Sequence, residues 1–225
     1  MDTKQTLTVD AEPYSFDFVP AETALLIIDM QRDFLEPGGF GEMLGNDVSQ
    51  LRRTIQPNKN LLSAWREAGL QVMHTREGHR PDLTDLPPAK KIRGRSKTCI
   101  GDAGPMGRIL VRGEAGHDII PELYPRANEP VIDKPGKGAF FATDLHAILQ
   151  HLGIKKLVVT GVTTEVCVNT TVREANDRGY DCLVPEDCVG SYFPEFQHMG
   201  LKMIKAQGGI FGWVSSSSKI LSVLT

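Results

Sequence analysis

The sequence lacks most of what would mark a nucleic-acid or membrane protein. Its 25 Lys and Arg are outnumbered by 28 Asp and Glu, for a formal net charge of -3. Nucleic acid and anionic lipid recruit proteins through a basic excess, which is missing here. The longest apolar runs, such as Ala24 to Ile28 and Leu157 to Thr160, are strand length, far below the roughly 20 residues that a bilayer-crossing helix requires. Residues 1–20 are polar and acidic and lack the basic start and apolar centre of a secretory leader, so the expected location is the cytoplasm. Cysteine is scarce as well. Cys99, Cys167, Cys182 and Cys188 show no C-x-x-C spacing, which argues against a disulfide framework and against a zinc cage. Repeats and low-complexity tracts are absent apart from the brief run Ser215 to Ser218. A small neutral molecule is the expected partner, with no nucleic acid, membrane or cofactor.

What is present is a chain of 225 residues, 40% hydrophobic, enough for one substantial core. Short apolar, β-rich runs alternate with segments of helical period, the pattern of βαβ units around a parallel sheet. Strands are expected at 24–29, 71–75, 130–134, 156–161, 180–185 and 209–213. Helices are expected at 48–68, 142–152, 165–178 and 195–206, with Gly69, Gly153 and Gly179 placed where three of them stop. The fold class is therefore α/β, three layers with a central, mainly parallel six-stranded sheet. Residues 1–22 read as an N-terminal extension and 23–225 as a single domain. Within it, 76–129 is rich in Pro, Gly, Arg and Lys and reads as a long lid or binding segment, a disordered insertion being the alternative.

In such sheets ligands bind beyond the carboxyl ends of the strands. There the first strand closes on Asp29, the third on Lys134, and the fourth runs through Gly161 to Cys167 at the start of a helix. A cysteine at a helix N-terminus beside a lysine is expected to have a lowered pKa. A carboxylate can accept its proton and return it to a leaving nitrogen. Each residue has a plainer reading too: Asp29 as a cap, Lys134 as a solvated charge, Cys167 as core. Strand-end placement alone does not choose between them.

Leu25-Leu-Ile-Ile-Asp-Met-Gln-Arg-Asp-Phe34, Asp133-Lys-Pro-Gly-Lys-Gly-Ala-Phe140 and Thr160-Gly-Val-Thr-Thr-Glu-Val-Cys-Val168 resemble, in order, the three signatures of the isochorismatase-like cysteine hydrolases. The resemblance runs from about Thr23 to Trp213 and implies Asp29, Lys134 and Cys167 as a catalytic triad. It also implies a cis peptide at Val162-Thr163, an oxyanion hole from the backbone amides of Thr163 and Cys167, and a homotetramer. Within the family, 74–83, 107–110, 118–123 and 173–179 look most like the biuret and triuret hydrolase branch, where a glutamine matching Gln207 contacts the ureide. A carboxamide suits a urea-like group because both offer donor and acceptor. Phe34, Phe140 and Phe141, adjacent to motif residues, are expected to wall the pocket, and Arg76 to orient substrate.

Ureidoacrylate and N-carbamoyl amino acid hydrolases share the triad and are the alternative reading, with isochorismatase and nicotinamidase behind them. Nicotinamidases hold a metal with an aspartate and histidines after the second strand. Here Arg76 stands at the aspartate position, so His74, His79 and Asp82 are expected to bind no metal. The basic stretch Lys90 to Lys97 could receive an anion but reads more plainly as a solvated face. From other classes come a noncatalytic ligand-binding or scaffold protein, and a redox-sensing thiol protein, which would need a resolving cysteine near Cys167.

Overall fold

The computed structural model describes residues 2–91 and 98–224. An antiparallel hairpin of β1 (Leu7–Val9) and β2 (Phe16–Phe18) leads into β3 (Thr23–Ile28). Short helices α1 (Arg32–Leu35), α2 (Phe40–Met43) and α3 (Ser49–Arg52) precede α4 (Ile55–Glu67) and β4 (Gln71–Glu77). The next segment carries α5 (Pro88–Lys91) and a small hairpin of β5 (Ala103–Gly104) and β6 (Gly107–Arg108). The chain then alternates β7 (Val131–Lys134), α6 (Leu145–His151), β8 (Lys156–Val162), α7 (Asn169–Asn176) and β9 (Asp181–Pro185). It closes with β10 (Val189–Gly190), α8 (Pro194–Gly209), β11 (Trp213–Ser215) and α9 (Ser217–Leu224).

The main sheet runs β11-β9-β8-β3-β4-β7, every pairing parallel, with β10 added beside the end of β8. Central β3 is buried at every position, which is why it is continuously apolar rather than alternating. Leu25 and Ile27 face a core built with Leu61, Leu62 and Trp65 of α4 and Ile220 of α9. Ala24, Leu26 and Ile28 face the other core, with Leu145 of α6, Val172 of α7 and Ile204 of α8. These are the three expected layers.

Three features refine the expectation. The N-terminal extension packs onto the domain: Phe16 and Phe18 are each 1% exposed, and their rings lie 5.1 Å from Trp213 and 6.5 Å from Trp65 respectively. Glu12 exchanges backbone bonds with Val214, joining the hairpin to the sheet's edge. The long segment after β4 has a small core of its own, Leu86, Ile100, Ile109 and Leu110. Finally, 209–213 is not a strand. Gln207 and Gly208, at φ 52° and 79°, turn the end of α8, and β11 starts only at Trp213.

Candidate active site

Four neighbouring strands deliver four polar residues to one place. Asp29 follows β3, Glu77 ends β4, Lys134 ends β7, and Cys167 lies on the turn after β8. All are buried.

The approach of β8 to β3 depends on Gly161, which has φ 101° and where a Cβ would lie 2.0 Å from the Ile28 carbonyl oxygen. The Val162–Thr163 peptide is cis, as the resemblance implied. A wide π-type turn, Thr164–Val168, then lifts Cys167 over the sheet. The Thr163 carbonyl accepts the amides of Val166 and Val168, which bracket Cys167. Asn169 pins the turn by donating to the Thr164 carbonyl at 2.7 Å.

Asp29 is held in a left-handed conformation, φ 49°. Its Oδ1 accepts the Thr75 hydroxyl at 2.6 Å, and its Oδ2 lies 2.8 Å from Lys134 Nζ. Lys134 also donates to the carbonyls of Gly136 and Lys137, at 3.1 and 2.8 Å. Burial alone would push its pKa down, but Asp29, the Cys167 sulfur and Glu77 outweigh it and the group stays charged.

Glu77 completes the cluster. Its Oε2 lies 3.4 Å from Cys167 Sγ and 4.0 Å from Lys134 Nζ. Its Oε1 pairs with Lys137 Nζ at 2.7 Å and Lys90 Nζ at 3.0 Å. Burial disfavours this carboxylate, yet Lys134, Lys137 and Lys90 together bring its pKa down to about 2. The backbone on which it sits is fixed by Gln31, whose Oε1 accepts the Glu77 amide at 2.7 Å and whose Nε2 donates to the Glu77 and His117 carbonyls at 3.0 and 2.8 Å.

The thiol departs from expectation. Burial raises the Cys167 pKa well above its ordinary value, and Asp29 and Glu77 add to the rise. Lys134 and Lys137 pull it down without prevailing. Desolvation of the anion outweighs the turn and the lysines. Asp29, Glu77 and Cys167 offer ligand atoms within 4.8 Å of one another, a set that could hold a metal, but the Lys134 ammonium already supplies positive charge among them.

Asp29, Lys134 and Cys167 thus come together as the motifs implied, with Thr163 beside them. Phe34 is half-buried between the main and lid cores, and Phe141 is exposed against the Gly136 loop. Phe140 is core rather than pocket wall, 5.9 Å from Tyr180 in a stack capped by Arg178. Arg76 points away from the site, because it precedes Glu77 on a strand and successive side chains take opposite faces. It grips Asp133 at 2.8 and 3.1 Å and Asp118 at 3.3 Å. Gln207 is exposed at the kinked end of α8, where the chain approaches β11 at the amino edge of the sheet. Cys167 stands at the carboxyl edge, so this chain's Gln207 cannot meet a substrate there.

His74 pairs with Glu129, His79 with Asp85 and Lys90, and Asp82 with Arg80 and Thr84; the three do not converge. Of the basic stretch, Lys90 is inside the cluster, whereas 92–97 lie outside the described residues. Sequence reasoning missed Glu77, Gln31, Lys90 and Lys137. Glu77 obeys the strand-end rule that found the others; β4 runs two residues beyond the expected Thr75, and those residues had been assigned to the lid.

A model of the isochorismatase domain matches residues 23–218. The chain is 34% identical over 224 residues to the ureidoacrylate amidohydrolase RutB of Serratia proteamaculans (strain 568), covering 97% of this chain and 89% of that protein. Among solved structures it resembles a cysteine hydrolase from Pseudomonas syringae pv. phaseolicola 1448A, with TM-score 0.78 and 25% identity over 92% of this chain and 94% of the other. It also resembles the N-carbamoylsarcosine amidase from Thermoplasma acidophilum, with TM-score 0.66 and 25% identity over 87% and 96% of the two chains. The domain match spans most of the sequence and takes in all four strand ends of the cluster: the chain belongs to the isochorismatase family.

Proposed function

We propose that this chain is a cysteine amidohydrolase that cleaves the carbamoyl C–N bond of a small ureide, of the ureidoacrylate or N-carbamoyl acid class. The observation that carries this reading is the contact of Cys167 Sγ with Glu77 Oε2 at 3.4 Å, inside a cluster completed by the Asp29–Lys134 pair. A buried thiol with a carboxylate acceptor and a fixed ammonium is what acyl transfer requires. The names borne by two relatives, ureidoacrylate amidohydrolase and N-carbamoylsarcosine amidase, point to the same bond. The expectation of biuret as substrate came from segments 74–83, 107–110, 118–123 and 173–179 together with Gln207; the relatives' names favour the ureidoacrylate and N-carbamoyl alternative.

Because burial favours the protonated form of the thiol, attack and deprotonation are coupled. The Cys167 proton passes to Glu77 Oε2 as sulfur bonds the ureide carbonyl carbon and the C=O electron pair moves onto oxygen. The amides of Thr163 and Cys167 receive that oxyanion, while Lys134, paired with Asp29, balances the charge. On collapse the C–N bond breaks, and the leaving nitrogen takes the proton from the carboxyl group and departs as an amine. Water then adds to the S-carbamoyl group, the C–S bond breaks, sulfur recovers its proton, and carbamate is released to decompose to carbon dioxide and ammonia.

The test is amine and ammonia release from ureidoacrylate, an N-carbamoyl amino acid, biuret, triuret, nicotinamide and isochorismate, by wild type and by Cys167→Ser. Turnover of a carbamoyl acid that disappears in the variant is the expected result. Consumption of nicotinamide or isochorismate alone would remove the ureide reading, and inertness toward the whole panel would favour a binding protein.

A further inference from the structure

Lysines outnumber carboxylates around the sulfur. Lys134, Lys137 and Lys90 face Asp29 and Glu77. Burial raises the Cys167 pKa, and His79 has its pKa lowered by burial and by Lys90. It accepts from Lys90 Nζ at 2.9 Å, which requires an uncharged ring nitrogen. Among the described residues the cluster therefore sets three lysines against two carboxylates.

Among the described residues of the cluster, Lys137 is the most open to solvent. The side chains of Asp29 and Lys134 are 0% exposed and that of Glu77 1%, and Lys90 is 16% exposed. Lys137 is 45% exposed. Lys90 is also tied to three partners, Glu77, His79 and the Pro135 carbonyl. Lys137 has its backbone carbonyl fixed by Lys134, but its long stem ends on Glu77 Oε1 alone. Its root is rigid and its ammonium can turn outward without dismantling the cluster. Glu77 Oε1 holds that ammonium while Oε2 of the same carboxylate contacts the sulfur, so the cation stands one carboxylate's width from the nucleophile.

We propose that Lys137 receives a carboxylate of the substrate, so that the site selects anionic ureides over neutral ones of the same size. This rests on the ureide reading above and deepens it. A neutral ureide gains nothing from the third lysine. An N-carbamoyl acid pairs with it and orients its carbamoyl carbon toward Cys167, with Lys90 left to hold Glu77 in place.

The experiment compares an N-carbamoyl amino acid with its neutral carboxamide on wild type, Lys137→Met and Lys137→Arg. The expected result is a KM for the acid raised about tenfold or more in Lys137→Met, as loss of one charge-assisted contact implies. The carboxamide should lose markedly less than the acid, since both lose the Glu77 counter-ion and only the acid loses its carboxylate partner, and Lys137→Arg should restore the preference. Equal losses on both substrates would make Lys137 only a counter-ion of Glu77 and overturn the proposal. Titration calorimetry of the same two compounds against Cys167→Ser, with and without Lys137→Met, reads the contact without turnover. Carboxylate-dependent binding lost with Lys137 sustains the proposal even if hydrolysis fails, and equal binding of acid and carboxamide overturns it.

Discussion

The Cys167 sulfur and Glu77 Oε2 are 3.4 Å apart, closer than Glu77 is to Lys134 at 4.0 Å. Glu77 is thus the carboxylate within hydrogen-bond reach of the thiol, even though the triad motifs name Asp29. Glu77→Gln keeps the shape and removes the proton acceptor. It should lower kcat by roughly 10²- to 10⁴-fold, the range for loss of a general base. Steady-state kinetics beside urea unfolding would check this. Activity near wild type in a folded Glu77→Gln protein would return the proton to Asp29.

Gln31 is a buried side chain whose amide bonds the Glu77 N–H, the Glu77 carbonyl and the His117 carbonyl. Gln31→Leu would leave those backbone groups unpaired, at about 1–3 kcal/mol for each that finds no water. The expected outcome is a loss of several kcal/mol in urea unfolding, with activity falling further than stability because Glu77 loses its anchor. Full stability in the variant would show that water replaces the amide.

Stability should fall on acidification in two stages. Burial, then Arg76, depress the His117 pKa from 6.5 to about 4, against the opposing pull of Asp133. A histidine with a lowered folded pKa is protonated first in the unfolded chain. The His117 contribution is therefore constant above pH 6.5 and declines between 6.5 and 4, by up to about 1.4 kcal/mol per pH unit for each such group. His74 and His79 shift in the same direction and add to this limb. Glu77 and Glu129, each brought down from 4.5 to about 2 in the folded protein, give a second limb. Their contribution is complete above pH 4.5 and is lost as pH falls toward 2. Melting temperatures from pH 8 to 3 would resolve the two, and His117→Asn should flatten the upper one.

The parts of this molecule legible in its sequence are those set by short-range pattern. The continuous apolar run of β3 gives a central parallel strand, and the strand-end rule places Asp29, Lys134 and Cys167. What escaped depends on pairing and desolvation. Glu77 was hidden because β4 extends to pair with all of β7, a register no local pattern announces. Phe16 and Phe18 looked like part of a tail because their partners, Trp65 and Trp213, lie far along the chain. The thiol's raised pKa follows from complete burial, which a helix-terminus argument cannot see.

Arg76 separates sequence proximity from spatial role. It adjoins Glu77 in the chain, yet strand alternation sends it to the opposite face, into a two-point grip on Asp133 with Asp118 beyond. Arg76→Met should therefore act on stability, costing roughly 1.5–3 kcal/mol as charge-assisted bonds in a part-buried pair are lost. Gln207→Ala, at an exposed position in the kinked end of α8, should change neither stability nor rate in an isolated subunit. Measuring kcat/KM and urea midpoints for both variants tests the placement directly. A large rise in KM with unaltered stability in Arg76→Met would mean that the guanidinium leaves Asp133 to meet substrate.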